Sequence, residues 1–226
     1  MDFDLTPEQE LLRDSVATLG RRFGHEYFVA RAKAGEHSDE LWAEAAKHGY
    51  LGVSLPEEYG GGGGGITDLA IVVEELSAAG CPLLLLVVSQ AIAGTILAKH
   101  GTGEQRQRFI PGIADGSTKV CFAITEPDAG SDMRGMKCAA RRDGGDFVLN
   151  GTKHFISHAD VADFVIVFAA TGEEETPKGI KKKITAFLVD RGTPGFEIRK
   201  GYDSVSHRGY HNSTLSFEDC RIPEAQ

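Results

Sequence analysis

The sequence predicts an α+β protein in two parts, an all-α helical domain over residues 1–117 followed by an antiparallel β domain, barrel or sandwich, over 118–226. Three observations lead there. Apolar residues in the first half recur at helical spacing between helix-start signals, and from about Lys119 the period changes to two. The second half carries hairpin signals at short intervals, "DGGD" at 143–146 and "NG" at Asn150 and Gly151. A length of 226 residues with 41% apolar content is enough for one large core or two modest ones.

The helical elements follow in order. "TPEQELLRDSVATLGRRF" offers Thr6 as N-cap, Pro7 at the first helical position and Gln9 to complete a capping box, with Leu12, Val16, Leu19 and Phe23 on one face. Ser38 before "DELWAEAAKHG", Thr67 before "DLAIVVEELSAAG", and Thr102 with Gln105 before "RQRFI" mark further capped helices. The run "PLLLLVVSQAIAGTILA", from Pro82 to Ala98, approaches the length of a membrane span. It contains Ser89, Gln90, Gly94 and Thr95 and lacks basic flanks, so it predicts a buried core helix. "EYGGGGGG" could cradle an anion on free amides, but no strand precedes it and no Lys with Ser or Thr follows. It predicts a flexible connection between helices.

In the β part Val120, Phe122 and Ile124 alternate, and "DFVIVFAAT", "ITAFLVD" and "STLSFED" supply further short strands. The charged excursion "GEEETPKGIKKK" reads as a solvated loop.

Charge and composition narrow the function. Asp and Glu number 33 against 24 Lys and Arg, a formal charge of -9 that repels nucleic-acid backbones and anionic lipid surfaces. An anionic ligand must therefore be held locally. Cys81, Cys121, Cys138 and Cys220 are far apart and form no CxxC pair, as in a reducing cytoplasmic setting. The start "MDFDLTPEQE" has neither the signal-peptide nor the transit-peptide pattern. His154 with His158, and His207 with His211, are spaced by four but lie outside helical patterns and lack the Glu of HExxH, so no metal site is expected.

Two stretches carry chemistry. In "CFAITEPDAGSDMRG" the strand ends where Pro127 cannot continue a ladder and Gly130 can take positive φ. Amides around 129–131 can then converge on an anion, with the Ser131 hydroxyl as a further donor; the alternative is a plain tight turn. In "LNGTKHFIS", Phe155 and Ser157 stand two apart on a strand, with Ile156 between them. An aromatic face and a hydroxyl on one side suit a flat heteroaromatic ligand.

"FAITEPDAGSDMRG", "DFVLNGTKHFISHADVADFVIVFAAT", "TAFLVDRGTPGFEI" and "STLSFEDCRIP", in that order and approximate spacing, resemble the FAD-dependent acyl-CoA dehydrogenases. The helical prelude, including "PEEYGG" and "GTGEQRQRFIP", is similar to that family's N-terminal domain. The resemblance implies FAD as cofactor. It places Phe122, Ile124 and Thr125 along the polar edge of the flavin and Ser131 near the pyrophosphate and thioester ligand. Phe155 matches a position where several members pack Trp on the flavin, Ile156 follows it, and Ser157 stands where many have Thr near flavin N5. Thr171 matches a position that contacts CoA in some members.

The implied reaction is removal of an α proton from an acyl-CoA by a Glu carboxylate with hydride transfer from the β carbon to the flavin, giving a trans-2-enoyl-CoA. "CRIPEAQ" falls where the family passes into a second helical bundle holding the catalytic Glu. The resemblance therefore implies a truncated chain, inactive alone, whose base lies beyond Gln226, while Glu126 and Asp128 belong to the turn and Asp132 caps or orients the loop. It further implies an electron-transferring flavoprotein as acceptor, no membrane partner, and a homotetramer for the full-length protein. An acyl-CoA oxidase or other flavin oxidase or monooxygenase on the same scaffold, and a non-catalytic binding subunit, stay open.

Overall fold

The computed structural model describes residues 4–177, 179–205 and 209–226. The chain divides into two compact units, Met1–Lys119 with Ser204–Tyr210, and Val120–Asp203 with His211–Gln226.

The first unit is helical: α1 (Pro7–Ala34), α2 (Asp39–Lys47), a 3₁₀ turn (Glu57–Tyr59), α3 (Ile66–Ala78), α4 (Leu84–Leu86), a π-helical stretch (Val87–Gly94), α5 (Thr95–His100) and α6 (Gly103–Asp115). Both expected capping boxes form, Thr6 with Gln9 and Thr102 with Gln105, so two orphan amides at each helix start are satisfied. α1 kinks at Gly24, whose φ of 70° leaves the helical region. At α3 the expected cap is displaced by two residues. Gly65 rather than Thr67 is the N-cap, because the Asp68 carboxylate reaches back to the Gly65 amide at 2.7 Å.

The apolar run from Pro82 is buried as expected. Ser89 and Gln90 are fully buried in its π-helical centre, and Gln90 Nε2 donates to the Ile113 carbonyl at 3.0 Å. No helix among the described residues is long and apolar enough to cross a membrane.

The six glycines are a packed turn, not the flexible connection expected from composition. Gly60, Gly61, Gly62, Gly63 and Gly64 donate to the carbonyls of Glu57, Pro56, Gly52, Leu55 and Val53 at 2.8–3.1 Å. Gly65 completes the set through Asp68. With these amides engaged none is free for an anion, and a Cβ on Gly61 would stand 2.2 Å from the Leu55 carbonyl oxygen. Close backbone approach is why glycine is needed there.

The second unit is one seven-stranded sheet of β1 (Val120–Ala123), β2 (Ala139–Asp143), β3 (Asp146–Ser157), β4 (Phe164–Thr176), β5 (Gly179–Asp190), β6 (Phe196–Lys200) and β7 (Asn212–Pro223), ordered β1-β4-β2-β3-β7-β6 with β5 on β4. Most pairings are antiparallel as expected, but β1 runs parallel to β4 and β2 meets β4 in a single parallel pair, which makes the sheet mixed. β1 and β4 are separated by two strands in sequence, so the return path is long enough for a parallel neighbour. Its core is the apolar β4 run Phe164, Val165, Ile166 and Val167 with Phe187, Leu188 and Val189 of β5.

Turn signals divide. "DGGD" closes the β2–β3 hairpin, with Asp143 opposite Asp146 and Gly144 at φ 66°. The "NG" pair is no turn: Gly151, at φ 145°, sits where the β3–β7 register shifts, and a Cβ there would lie 2.6 Å from Cys138 Cα. "GEEETPKGIKKK" is likewise not an open loop. β4 and β5 continue through it, setting Glu173 opposite Lys182 and Glu174 opposite Lys181, an opposite-charge ladder that favours pairing. Lys178 at its tip lies outside the described residues.

Candidate functional site

The site builds from the end of β1. Its ladder with β4 stops at Ala123, and half-buried Ile124 and Thr125 run on beside β3, where the Thr125 carbonyl accepts from the His154 amide at 2.8 Å. The two stretches singled out in the sequence, thirty residues apart, thus form one ledge.

A buried ion pair ties this ledge down. Lys153 Nζ donates to the Ile124 carbonyl at 3.0 Å and to Glu126 Oε1 at 2.8 Å, with the two side chains 0% and 2% exposed. Glu126 also accepts from the Lys137 amide at 2.6 Å and the Cys138 amide at 3.0 Å, and its own backbone exchanges both hydrogen bonds with Ala129, at 2.8 and 3.2 Å. A buried carboxylate with an ammonium and two amides around it is well satisfied.

The next feature is a bulge in β3. Its register with β7 shifts between Lys153 and Ile156, and Phe155 stands in the left-handed region at φ 57°, an outlier for a bulky residue. Lys153 and Ile156 are buried, Ser157 is half-buried, and Phe155 is 56% exposed. Strict alternation would put Lys153 and Phe155 on one face; the extra residue separates them. The Phe155 ring stacks on His154 at 4.2 Å with 4° between the planes, and Tyr202 lies 5.7 Å from it. Phe122, half-buried, meets Phe168 edge-on at 5.2 Å.

Other expected features are placed differently. The Ala129 amide is used internally and Gly130 does not take positive φ, so the anion nest expected around 129–131 does not form as read; Ser131 is exposed on that loop. Thr171 is the bulged residue between Ala170 and Gly172 of β4, with its hydroxyl 3.0 Å from that of Thr185. Asp132 caps the 3₁₀ turn Met133–Gly135 through the Arg134 amide, and the Arg134 guanidinium grips both its oxygens at 2.9 and 2.8 Å. Those bonds lower its carboxyl from 3.8 to about 2. Asp128 pairs with Lys137 Nζ at 2.6 Å.

Among the histidines, His154 is stacked on Phe155, His158 is buried at φ 54°, and His211 Nδ1 lies 2.7 Å from Asp160 Oδ2; His207 lies outside the described residues. Burial pushes the Cys138 thiol up to about 11, outweighing the nearby Lys153 charge that lowers it, so it is a packed thiol and no nucleophile. Lys153 and Glu126 as a buried pair were missed by sequence reasoning. The available signal was a Lys inside an otherwise strand-like run.

A family model for the acyl-CoA dehydrogenase N-terminal domain matches residues 6–117, and one for the acyl-CoA dehydrogenase middle domain matches 121–220. The chain is 52% identical over 189 residues to acyl-CoA dehydrogenase FadE12 of Mycobacterium tuberculosis, covering 84% of this chain and 48% of that protein. Among solved structures, butyryl-CoA dehydrogenase from Megasphaera elsdenii superposes with a TM-score of 0.89 at 30% identity, over 100% of this chain and 59% of the other. A glutaryl-CoA dehydrogenase from Mycobacterium smegmatis in complex with FADH2 gives 0.84 at 29%, over 98% and 55%. The chain spans about half the length of the curated relatives it matches. With both of its halves matched in sequence and in fold, this chain belongs to the acyl-CoA dehydrogenase family.

Proposed function

We propose that the protein works in the α,β-dehydrogenation of an acyl-CoA thioester with FAD, and that residues 120–157 form one wall of the flavin site. The observation that carries this reading is the junction of the Thr125 ledge with the Phe155 bulge through the His154 amide. It sets an exposed aromatic face close to half-buried polar groups, which suits a flat cofactor with a polar edge. FAD, when bound, supplies the acceptor for the hydride.

The chain's own residues hold and orient. Phe122, Ile124 and Thr125 line the flavin edge, Phe155 backs its plane with Ile156 next to it in the strand, and the Ser157 hydroxyl bonds to a ring heteroatom. Ser131 and Thr171 meet the thioester ligand. The relative bound to FADH2 supports the cofactor assignment. The four cysteines, all free and buried, accord with a reducing cytoplasmic setting. By family likeness the electron acceptor is an electron-transferring flavoprotein and the working assembly a homotetramer.

The test is titration of FAD into the chain, followed by quenching of flavin fluorescence. Saturable binding supports the reading and its absence overturns it. Peroxide formed in step with turnover, in a chain completed to the length of its relatives, would instead identify an oxidase.

A further inference from the structure

We infer that Lys153 and Glu126 are positioning residues that set the phase of the β3 bulge and so hold Phe155 outward, on the face read above as the flavin wall. The inference rests on that reading for its ligand, but its geometry stands alone.

Two contacts of Lys153 and one of its neighbour His154 converge on one short segment. Lys153 Nζ grips the Ile124 carbonyl and the Glu126 carboxylate, and the His154 amide, one residue on, grips the Thr125 carbonyl. Residues 124–126 are thereby bound to 153–154 by three successive bonds, although β1 has already ended. Glu126 extends the hold to the Lys137 and Cys138 amides just ahead of β2. The next residue after this clamp is Phe155, at φ 57°, where an unclamped strand would relax to extended backbone. Relaxation would restore simple alternation and turn Phe155 to the side on which Lys153 is buried. A desolvated ammonium cannot share that side with a large ring without losing its acceptors, so the ion pair opposes the slip. Neither residue need touch the ligand, and both act through Thr125 and Phe155.

The experiment uses the full 226-residue chain with Lys153→Met, Glu126→Gln and the double change. FAD affinity is read by fluorescence quenching and the His154 amide by hydrogen exchange, at a temperature where far-ultraviolet circular dichroism matches the parent. Each single change is expected to weaken FAD binding and to speed His154 exchange at least about tenfold, equivalent to about 1.4 kcal/mol. The double change, which removes the lone buried charge, is expected to recover thermal stability without recovering FAD affinity. That split separates positioning from a merely structural role.

Folded single variants with unchanged FAD affinity overturn the inference. If the parent chain takes up no FAD, the flavin reading fails, and His154 exchange then decides the clamp by itself: unchanged exchange in the variants overturns it. Should Lys153→Met fail to fold, Glu126→Gln, which keeps volume and an acceptor oxygen, carries both measurements.

Discussion

The His154 amide donates to the Thr125 carbonyl at 2.8 Å, and the residue that follows, Phe155, is held in left-handed backbone and is 56% exposed. A strained backbone displaying an apolar ring to solvent is a cost that folding alone does not explain. Phe155→Gly should therefore leave the chain as stable or about 0.5–1 kcal/mol more stable, since glycine adopts this φ freely. The same change should weaken FAD binding. Thermal melting and flavin titration of the one variant check both halves, and a variant that lost stability without losing FAD would make Phe155 structural.

Ser157→Ala removes one hydroxyl from half-buried β3. A hydrogen bond of that kind contributes about 0.5–1.5 kcal/mol, so the stability change should stay within that range while the midpoint potential of bound flavin shifts. Spectroelectrochemistry against chemical denaturation separates the two. A large stability loss at unchanged potential would remove Ser157 from the flavin site.

Gly61 is expected to tolerate no side chain. A Cβ would meet the Leu55 carbonyl oxygen at 2.2 Å, with the Leu55 carbonyl carbon at 2.4 Å, and rigid backbone cannot yield cheaply. Gly61→Ala should cost about 2–4 kcal/mol. Gly103→Ala, where nothing lies within 4 Å of the added Cβ, should stay within about 0.5 kcal/mol. Equal urea midpoints for the two variants would show that the glycine run is not the close-packed turn described.

Arg134 holds the Asp132 carboxyl down at about 2 against an ordinary 3.8. A depressed carboxyl lends its stabilising effect above the ordinary value and loses it as pH falls through the lowered one. The 3₁₀ turn at Met133–Gly135 should thus keep its cap until pH falls from about 4 towards 2, as measured by carbon-detected titration of Asp132. Both side chains are exposed, so added salt should narrow the effect. A midpoint near 4 would mean that the guanidinium contact is not populated.

Legibility in the sequence followed the range of the interaction concerned. The capping boxes at Thr6 and Thr102 are local, three-residue devices and could be read directly. The parallel placement of β1 on β4 depends on partners distant in sequence, and the packing of Gly62 to Gly64 onto 52–55 and the β4–β5 charge ladder depend on nearby segments folded back on each other; periodicity reports neither. In the proposed site, Phe155 and Ser157 could be singled out by residue type and spacing and Thr125 through the family resemblance. Lys153 could not, since its partner Glu126 lies 27 residues away on another segment and the register shift that follows Lys153 becomes visible only in the pairing with β7.

The final expectation concerns the base. Abstraction of an α proton needs a carboxylate free to accept it. Glu126 is shut in by Lys153 and two amides, Asp128 is paired with Lys137, and Asp132 is gripped by Arg134 and ionised down to about pH 2, far too weak a base for this task. These three should therefore contribute nothing to proton removal, and the 226 residues given FAD alone should not be bleached anaerobically by short, long or branched acyl-CoAs. Absence of a positioned base costs about 10² to 10⁴ in rate, which single-turnover absorbance resolves. The comparison is a chimera completed with the remaining half of the Mycobacterium tuberculosis relative, in which bleaching should appear and should survive Asp128→Asn and Asp132→Asn. Rapid bleaching by the 226 residues themselves, abolished by one of those changes, would place the base inside the motif and overturn the assignment.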